Sequence, residues 1–164
     1  MGSSIKLKLD FEGMLEAIKD AGGDIDRAAK QAAEQCAQTM HDELVSECNT
    51  SGVPASVSNE IVHGVNVTGG GNVYEVEAGW KMGEYNPENP SAGYEAVFLN
   101  YGTARRKVKK PRVHQTINGK WVTLGTDRGA IKARGFIARA KKSASKKVKK
   151  VQNEALKKML EELT

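Results

Sequence analysis

The stretch from Phe136 to Leu163 constrains the fold more than any other part of the chain. Ile137, Ala140, Ala144, Val148, Val151, Ala155, Met159 and Leu163 recur every three or four residues, the period of one helix face. At 1.5 Å per residue such a helix would be on the order of 42 Å long. Its apolar stripe has to be covered. The spacing drifts between three and four without a sustained heptad, which favours packing on a sheet and a second helix over a free coiled coil.

The N-terminal half supplies candidates for that cover. Asp10 to Ala21 reads as a short helix with Phe11, Leu15 and Ile18 on one face and Gly22 and Gly23 as its stop. Asp24 can cap a longer helix to about Cys48, whose stripe is Ile25, Ala29, Ala32, Cys36, Met40 and Leu44. Alanine at the contact allows close approach. Ile61 to Val67 alternates well enough for a strand. In Tyr74 to Lys81, Tyr74, Val76, Ala78 and Trp80 face one way while Glu75 and Glu77 face the other. The glycine-rich stretch 68–72 would join these two strands as a hairpin loop.

After a looser stretch from Gly83 to Gly93, the apolar run from Glu95 to Tyr101 reads as another strand. A basic run follows, then a hairpin from Gln115 to Leu124 with Asn118 and Gly119 at its turn. The expected architecture is α+β: an antiparallel sheet of about four or five strands, covered on one face by two N-terminal helices and one long C-terminal helix. A length of 164 residues suits one domain spanning 1–164, with the basic loop and hairpin, 104–124, as an extension.

Charge is divided along the chain. Residues 1–100 carry 6 Lys/Arg against 16 Asp/Glu, and residues 101–164 carry 19 against 4. Such asymmetry points to a polyanion or an acidic partner surface, or to the basic half folding against the acidic half within or between subunits. No apolar run approaches the roughly 18 residues of a membrane span and nothing resembles a signal peptide, so a soluble protein is expected. Cys36 and Cys48 on one helix would lie roughly 18 Å apart, too far to pair. With no other cysteine, a reducing cytoplasm suits the chain.

No catalytic, cofactor or metal constellation emerges. His41, His63 and His114 fall in a helix, a strand and a loop, and His63 shares a strand face with Ile61 and Val65, as a partly buried structural residue would. The two cysteines lack zinc-site spacing. Glu75 and Glu77 would project about 7 Å apart from one strand face, but alternating glutamates on a wet sheet face are commonplace. Gly69 to Gly71 lacks the Gly-Lys-Ser/Thr of a phosphate loop.

The basic segments carry more information. Arg105, Arg106, Lys107, Lys109, Lys110 and Arg112 place six positive charges in eight residues, with Pro111 discouraging a helix. An extended basic loop can follow a phosphate backbone or an acidic protein rim, and the lack of interleaved aromatics argues against base reading. The C-terminal helix begins with Arg139, Lys141, Lys142, Lys146, Lys147, Lys149 and Lys150 before any acid appears. Like charges four apart each cost about 0.2–0.5 kcal/mol, and cations near a helix N-terminus oppose its dipole. Local helix stability did not shape this order.

Two segments form a recognisable pair: Glu95 to Thr103 (EAVFLNYGT) and Ala133 to Ala140 (ARGFIARA). In this order they resemble the neck or tail-completion proteins of long-tailed bacteriophages, whose pattern reads roughly Tyr-Ala-x-aromatic-aliphatic-Glu-aromatic-Gly-Thr, then Ala-Arg-Pro-Phe-Leu-x-Pro-Ala. Phe98, Tyr101, Gly102, Thr103, Arg134 and Phe136 carry the resemblance, with Ala96, Leu99, Ala133, Ile137 and Ala140. Glu95 replaces the aromatic, Asn100 the glutamate, and Gly135 and Arg139 the two prolines.

The resemblance implies that Phe98, Leu99 and Tyr101 seat a strand, that Gly102 and Thr103 redirect the chain, that Arg134 bonds near the helix start, and that Phe136 anchors it. It further implies a non-enzymatic virion protein without cofactors, located in the neck or tail and, during assembly, in the bacterial host cytoplasm. Six copies would form a ring between a head connector and a tail terminator, with non-specific DNA contact in the channel and no membrane. The alternative from the residues alone is a sequence-independent DNA-binding protein using the basic loop and helix. A hydrolase built on Glu75 and Glu77 is a third reading.

Overall fold

The long apolar stripe finds its cover within the chain. A computed structural model describes residues 3–9, 11–68, 73–83, 85–86, 89–105, 107, 112–115, 119, 121–124, 127 and 129–163. The elements run β1 (Ser4–Leu9), α1 (Glu12–Asp20), α2 (Ile25–Thr50), α3 (Ala55–Ser58), β2 (Val62–Thr68), β3 (Val73–Gly79), α4 (Ala92–Tyr101), β4 (Arg112–Gln115), β5 (Trp121–Leu124) and α5 (Phe136–Leu163). The fold is α+β, with an antiparallel three-stranded sheet and a long C-terminal helix.

The sheet has the order β1-β3-β2, so β3 is central. Tyr74, Val76 and Ala78 of β3 are buried and lie opposite Leu9, Leu7 and Ile5 of β1. Cross-strand apolar pairs of this kind fix the register, because a one-residue slip would turn them to solvent. α2 lies across β3 and β2. α5 runs antiparallel to α2: Cys36 meets Val148, Glu43 meets Lys147 and Glu47 meets Arg139. The seam is built of small residues, with Ala29, Ala32, Ala33, Cys36, Ala37, Ala140 and Ala144 fully buried, so the two backbones approach closely. Asp24 accepts a bond from the Arg27 amide at 3.1 Å and starts α2.

Several expectations are corrected. The segment Glu95–Tyr101 is not a strand but most of helix α4, whose buried residues, Gly93, Ala96, Leu99 and Asn100, follow helical spacing. A short apolar run does not distinguish strand from helix by periodicity; in the helix, Gly93 leaves no room for a Cβ, which would lie 2.8 Å from the Met82 sulfur. The sheet therefore has three strands rather than four or five, and β4 and β5 form a separate two-stranded ribbon. β1 is an addition, although Ile5, Leu7 and Leu9 alternate with Lys6 and Lys8. His63 is exposed rather than partly buried, because β2 is an edge strand whose helix-facing side is only partly covered. Leu163, placed on the apolar stripe, is 43% exposed at the end of α5. The turn residue Asn118 and the glycine-rich stretch 69–72 lie outside the described residues.

Candidate functional site

The two segments of the motif pair meet at one junction. α4 ends at Gly102, whose φ of 75° favours glycine and whose amide bonds Phe98 at 2.8 Å. A Cβ there would lie 2.6 Å from the Ile131 carbonyl and 2.8 Å from the Ala133 nitrogen, so the returning chain fits only against glycine. Thr103 pairs with Ile131: its amide donates to the Ile131 carbonyl at 2.9 Å and its hydroxyl accepts from the Ile131 amide at 3.1 Å. The Arg134 amide donates to the carbonyls of Leu99 and Asn100, and the Gly135 amide donates to Asn100.

Asn100 completes the lock. Its side-chain oxygen accepts from the Ile137 amide at 2.9 Å, in the first turn of α5. This is N-capping by a residue 37 positions away, and both partners are buried. Asn100 stands where the phage pattern has glutamate, and both side chains offer an acceptor oxygen. The Arg134 guanidinium donates to the carbonyls of Ser51 and Gly52, satisfying the C-terminal end of α2. Phe136 is fully buried, its ring edge-on to Trp80 at 6.1 Å.

The strand-seating role expected of Phe98, Leu99 and Tyr101 is replaced by helix positions. Leu99 is buried, Phe98 half-buried and Tyr101 44% exposed. Phe98 and Tyr94 pack around Tyr85, at ring distances of 6.4 and 5.0 Å. Sequence reasoning missed this cluster. Tyr94, Phe98 and Tyr101 sit at i, i+4 and i+7, a signal visible only once the segment is read as a helix.

Beyond the junction the chain forms an antiparallel ribbon. Thr103 pairs with Ile131, Lys107 with Asp127, and Arg112–Gln115 with Trp121–Leu124. Lys107 and Arg112 of the basic run thus lie along one edge of a two-stranded arm. Arg105 donates from Nε to Asp127 at 2.8 Å, and Asp127 is held below its ordinary range by that bond first and by the Gly129 amide second. Lys107 is exposed, and Arg112 opens β4. Arg106, Lys109 and Lys110 lie outside the described residues.

The basic start of α5 divides in two. Arg139 pairs with Glu47 at 3.0 Å, and Lys147 pairs with Glu43, so part of the charge division is neutralised between α5 and α2. Glu43 also accepts from Ser143. Burial alone would raise the Glu43 carboxyl, but the Lys147 and Ser143 bonds together outweigh it and hold the carboxyl below its ordinary value. Lys141, Lys142, Lys146 and Lys149 are in none of the ion pairs found among the described residues. Of these, Lys142, Lys146 and Lys149 fall on one stripe, about 10 Å from end to end.

The candidate chemical groups are placed otherwise. Glu75 and Glu77 both face Lys6, at 3.6 and 3.0 Å, on the solvent side of the sheet. Cys36 and Cys48 are free and buried, and burial pushes their thiols up to about 11 and about 12, so neither is a nucleophile at neutral pH. His41 and His63 lie edge to face at 5.2 Å, with Asp42 3.0 Å from His41. His63 borders a broad open groove of about 930 Å³ between β2, α2 and the end of α5, also lined by Lys30, Glu34, Glu154 and Lys158. Among the described residues no group of three metal-ligating side chains converges, and no helix is long and apolar enough to cross a membrane.

No protein-family model, curated protein or solved structure matches the chain.

Proposed function

We propose that this chain is a structural virion protein of a tailed phage or prophage, assembling as a ring at the head–tail joint. The observation that carries the reading is the junction at Asn100. The two segments that resemble the neck and tail-completion proteins are far apart in sequence, yet they interlock. Arg134, Gly135 and Ile137 all donate backbone hydrogen bonds to Leu99 or Asn100, and Thr103 ties the returning chain through Ile131. In this chain the two segments therefore make one corner between α4, the arm and α5, and a ring subunit held between head and tail would gain rigidity from it. The six-membered ring, the head connector and tail terminator as neighbours, and the neck as location follow from the resemblance.

A second reading rests on a separate observation. The lysine stripe Lys142, Lys146 and Lys149 has no carboxylate partner among the described residues, and its spacing suits a phosphate backbone, as sequence-independent DNA binding requires. In the ring reading the same stripe touches the DNA that passes through the channel.

Deletion of the gene tests the primary reading. Lysates should then contain filled heads and complete tails that are separate, and purified protein should restore joining in vitro. Joined, infectious particles without the protein would overturn it.

A further inference from the structure

The chain has nine aromatic residues, three Phe, two Trp and four Tyr, and an unusual share of them faces solvent. Tyr85 is 50% exposed, Tyr101 44%, and Tyr94 and Phe98 are half-buried beside them. Met82, 47% exposed, lies against Gly93 of α4 and extends the patch. Meanwhile Trp121, 66% exposed, sits on β5 of the arm. Aromatic side chains and Met are enriched at the centres of protein interfaces and depleted from ordinary surface.

The arm itself lacks support. Among the described elements, β4 and β5 pack chiefly on each other. An isolated two-stranded ribbon is marginally stable in water unless its face is covered. Its base is pinned at Thr103 and Ile131, directly after α4. Neither β4 nor β5 packs substantially on α4 among the described elements, so Trp121 is not covered by the α4 surface of its own subunit. The charges are complementary. Residues 104–132 hold nine Lys/Arg against one acid, Asp127, whereas residues 82–101 hold Glu84, Glu88 and Glu95 and no Lys or Arg.

We propose that the β4–β5 arm of one copy docks, through Trp121, on the Tyr85, Tyr94 and Phe98 patch of a second copy. This rests on the ring reading and specifies its subunit contact. Arm and patch are different surfaces of one chain, so the contact is heterologous and head to tail. Such contacts propagate and close into a ring when the rotation permits. Salt weakens the charged part of the contact as the Debye length falls from about 10 Å at 0.1 M to about 3 Å at 1 M.

The test uses two variants of the full chain, Trp121→Ser on the arm and the pair Tyr85→Lys, Glu95→Lys on the patch, with circular dichroism to show that each is folded. Every substituted position is exposed or half-buried, so folding should survive; Glu95→Lys alone serves if the pair does not fold. In sedimentation velocity the parent should self-associate with concentration, and each variant alone should associate roughly 30-fold more weakly or not at all. An equimolar mixture of the two variants retains one intact arm and one intact patch, and should form a one-to-one dimer and nothing larger. Parent-like association by either variant, a mixture that stays monomeric, or a parent that stays monomeric at every concentration overturns the proposal. Those outcomes leave the head–tail reading to its own deletion test, because rings held by another contact would still join heads to tails.

Discussion

Replacing Asn100 by Ala removes the acceptor that caps α5 while leaving the backbone bonds of Asn100 in place. The Ile137 amide then has no partner, in surroundings where Asn100 is 4% exposed and Ile137 7%. Loss of an N-cap costs about 1 kcal/mol, and an unpaired buried donor costs about 1–3 kcal/mol. These overlap in one bond, so the expected loss is about 2 kcal/mol. For a chain of this size that lowers Tm by roughly 4–8 °C. Asn100→Asp keeps an acceptor oxygen at the helix N-terminus, where negative charge is favourable, and should lose less than the Ala variant. Urea denaturation gives the stability, and hydrogen exchange at the Ile137 amide reports the bond itself. An Ala variant within about 0.5 kcal/mol of the parent, with unchanged exchange at Ile137, would refute the capping role.

Other outcomes follow from the same structure. Gly102→Ala should cost about 2 kcal/mol or more in urea melts, since it combines a positive φ with a Cβ clash against backbone. Glu43→Gln should destabilise at pH 7 but not at pH well below the ordinary carboxyl value of 4.5. The depressed carboxyl of Glu43 stabilises the fold above that value and loses the contribution as pH falls through its folded value; a difference from the parent that persists at low pH would contradict this. Lys142→Gln, Lys146→Gln and Lys149→Gln together should leave Tm nearly unchanged, because the like-charge pairs within the stripe are relieved. If the stripe binds DNA, they should also reduce the salt slope of duplex binding by about 0.9 for each phosphate that is no longer neutralised. Glu75→Gln with Glu77→Gln should cost less than about 1 kcal/mol in urea melts, as expected of a surface pair around Lys6.

The parts of the fold written in local periodicity were legible. α5, β2 and β3 follow from apolar spacing that needs no partner to be seen. α4 was not, because an apolar run of seven residues satisfies either period. β1 alternates plainly, but its two lysines obscured it until its register with β3 put them beside Glu75 and Glu77. The Asn100 cap joins residues 37 apart, and no local pattern announces such a bond. Exposure is likewise non-local: His63 lies on the helix-facing side of β2, yet edge position leaves it open. The motif pair was legible as letters. Its physical meaning, one corner made from two segments, required the fold.

Subunit association decides the central claim. Native mass spectrometry and negative-stain microscopy of the concentrated protein, alone and with the connector and tail-terminator proteins that the proposed role requires, should show closed rings of one size that loosen as salt is raised. A persistent monomer with both neck proteins present would contradict the account.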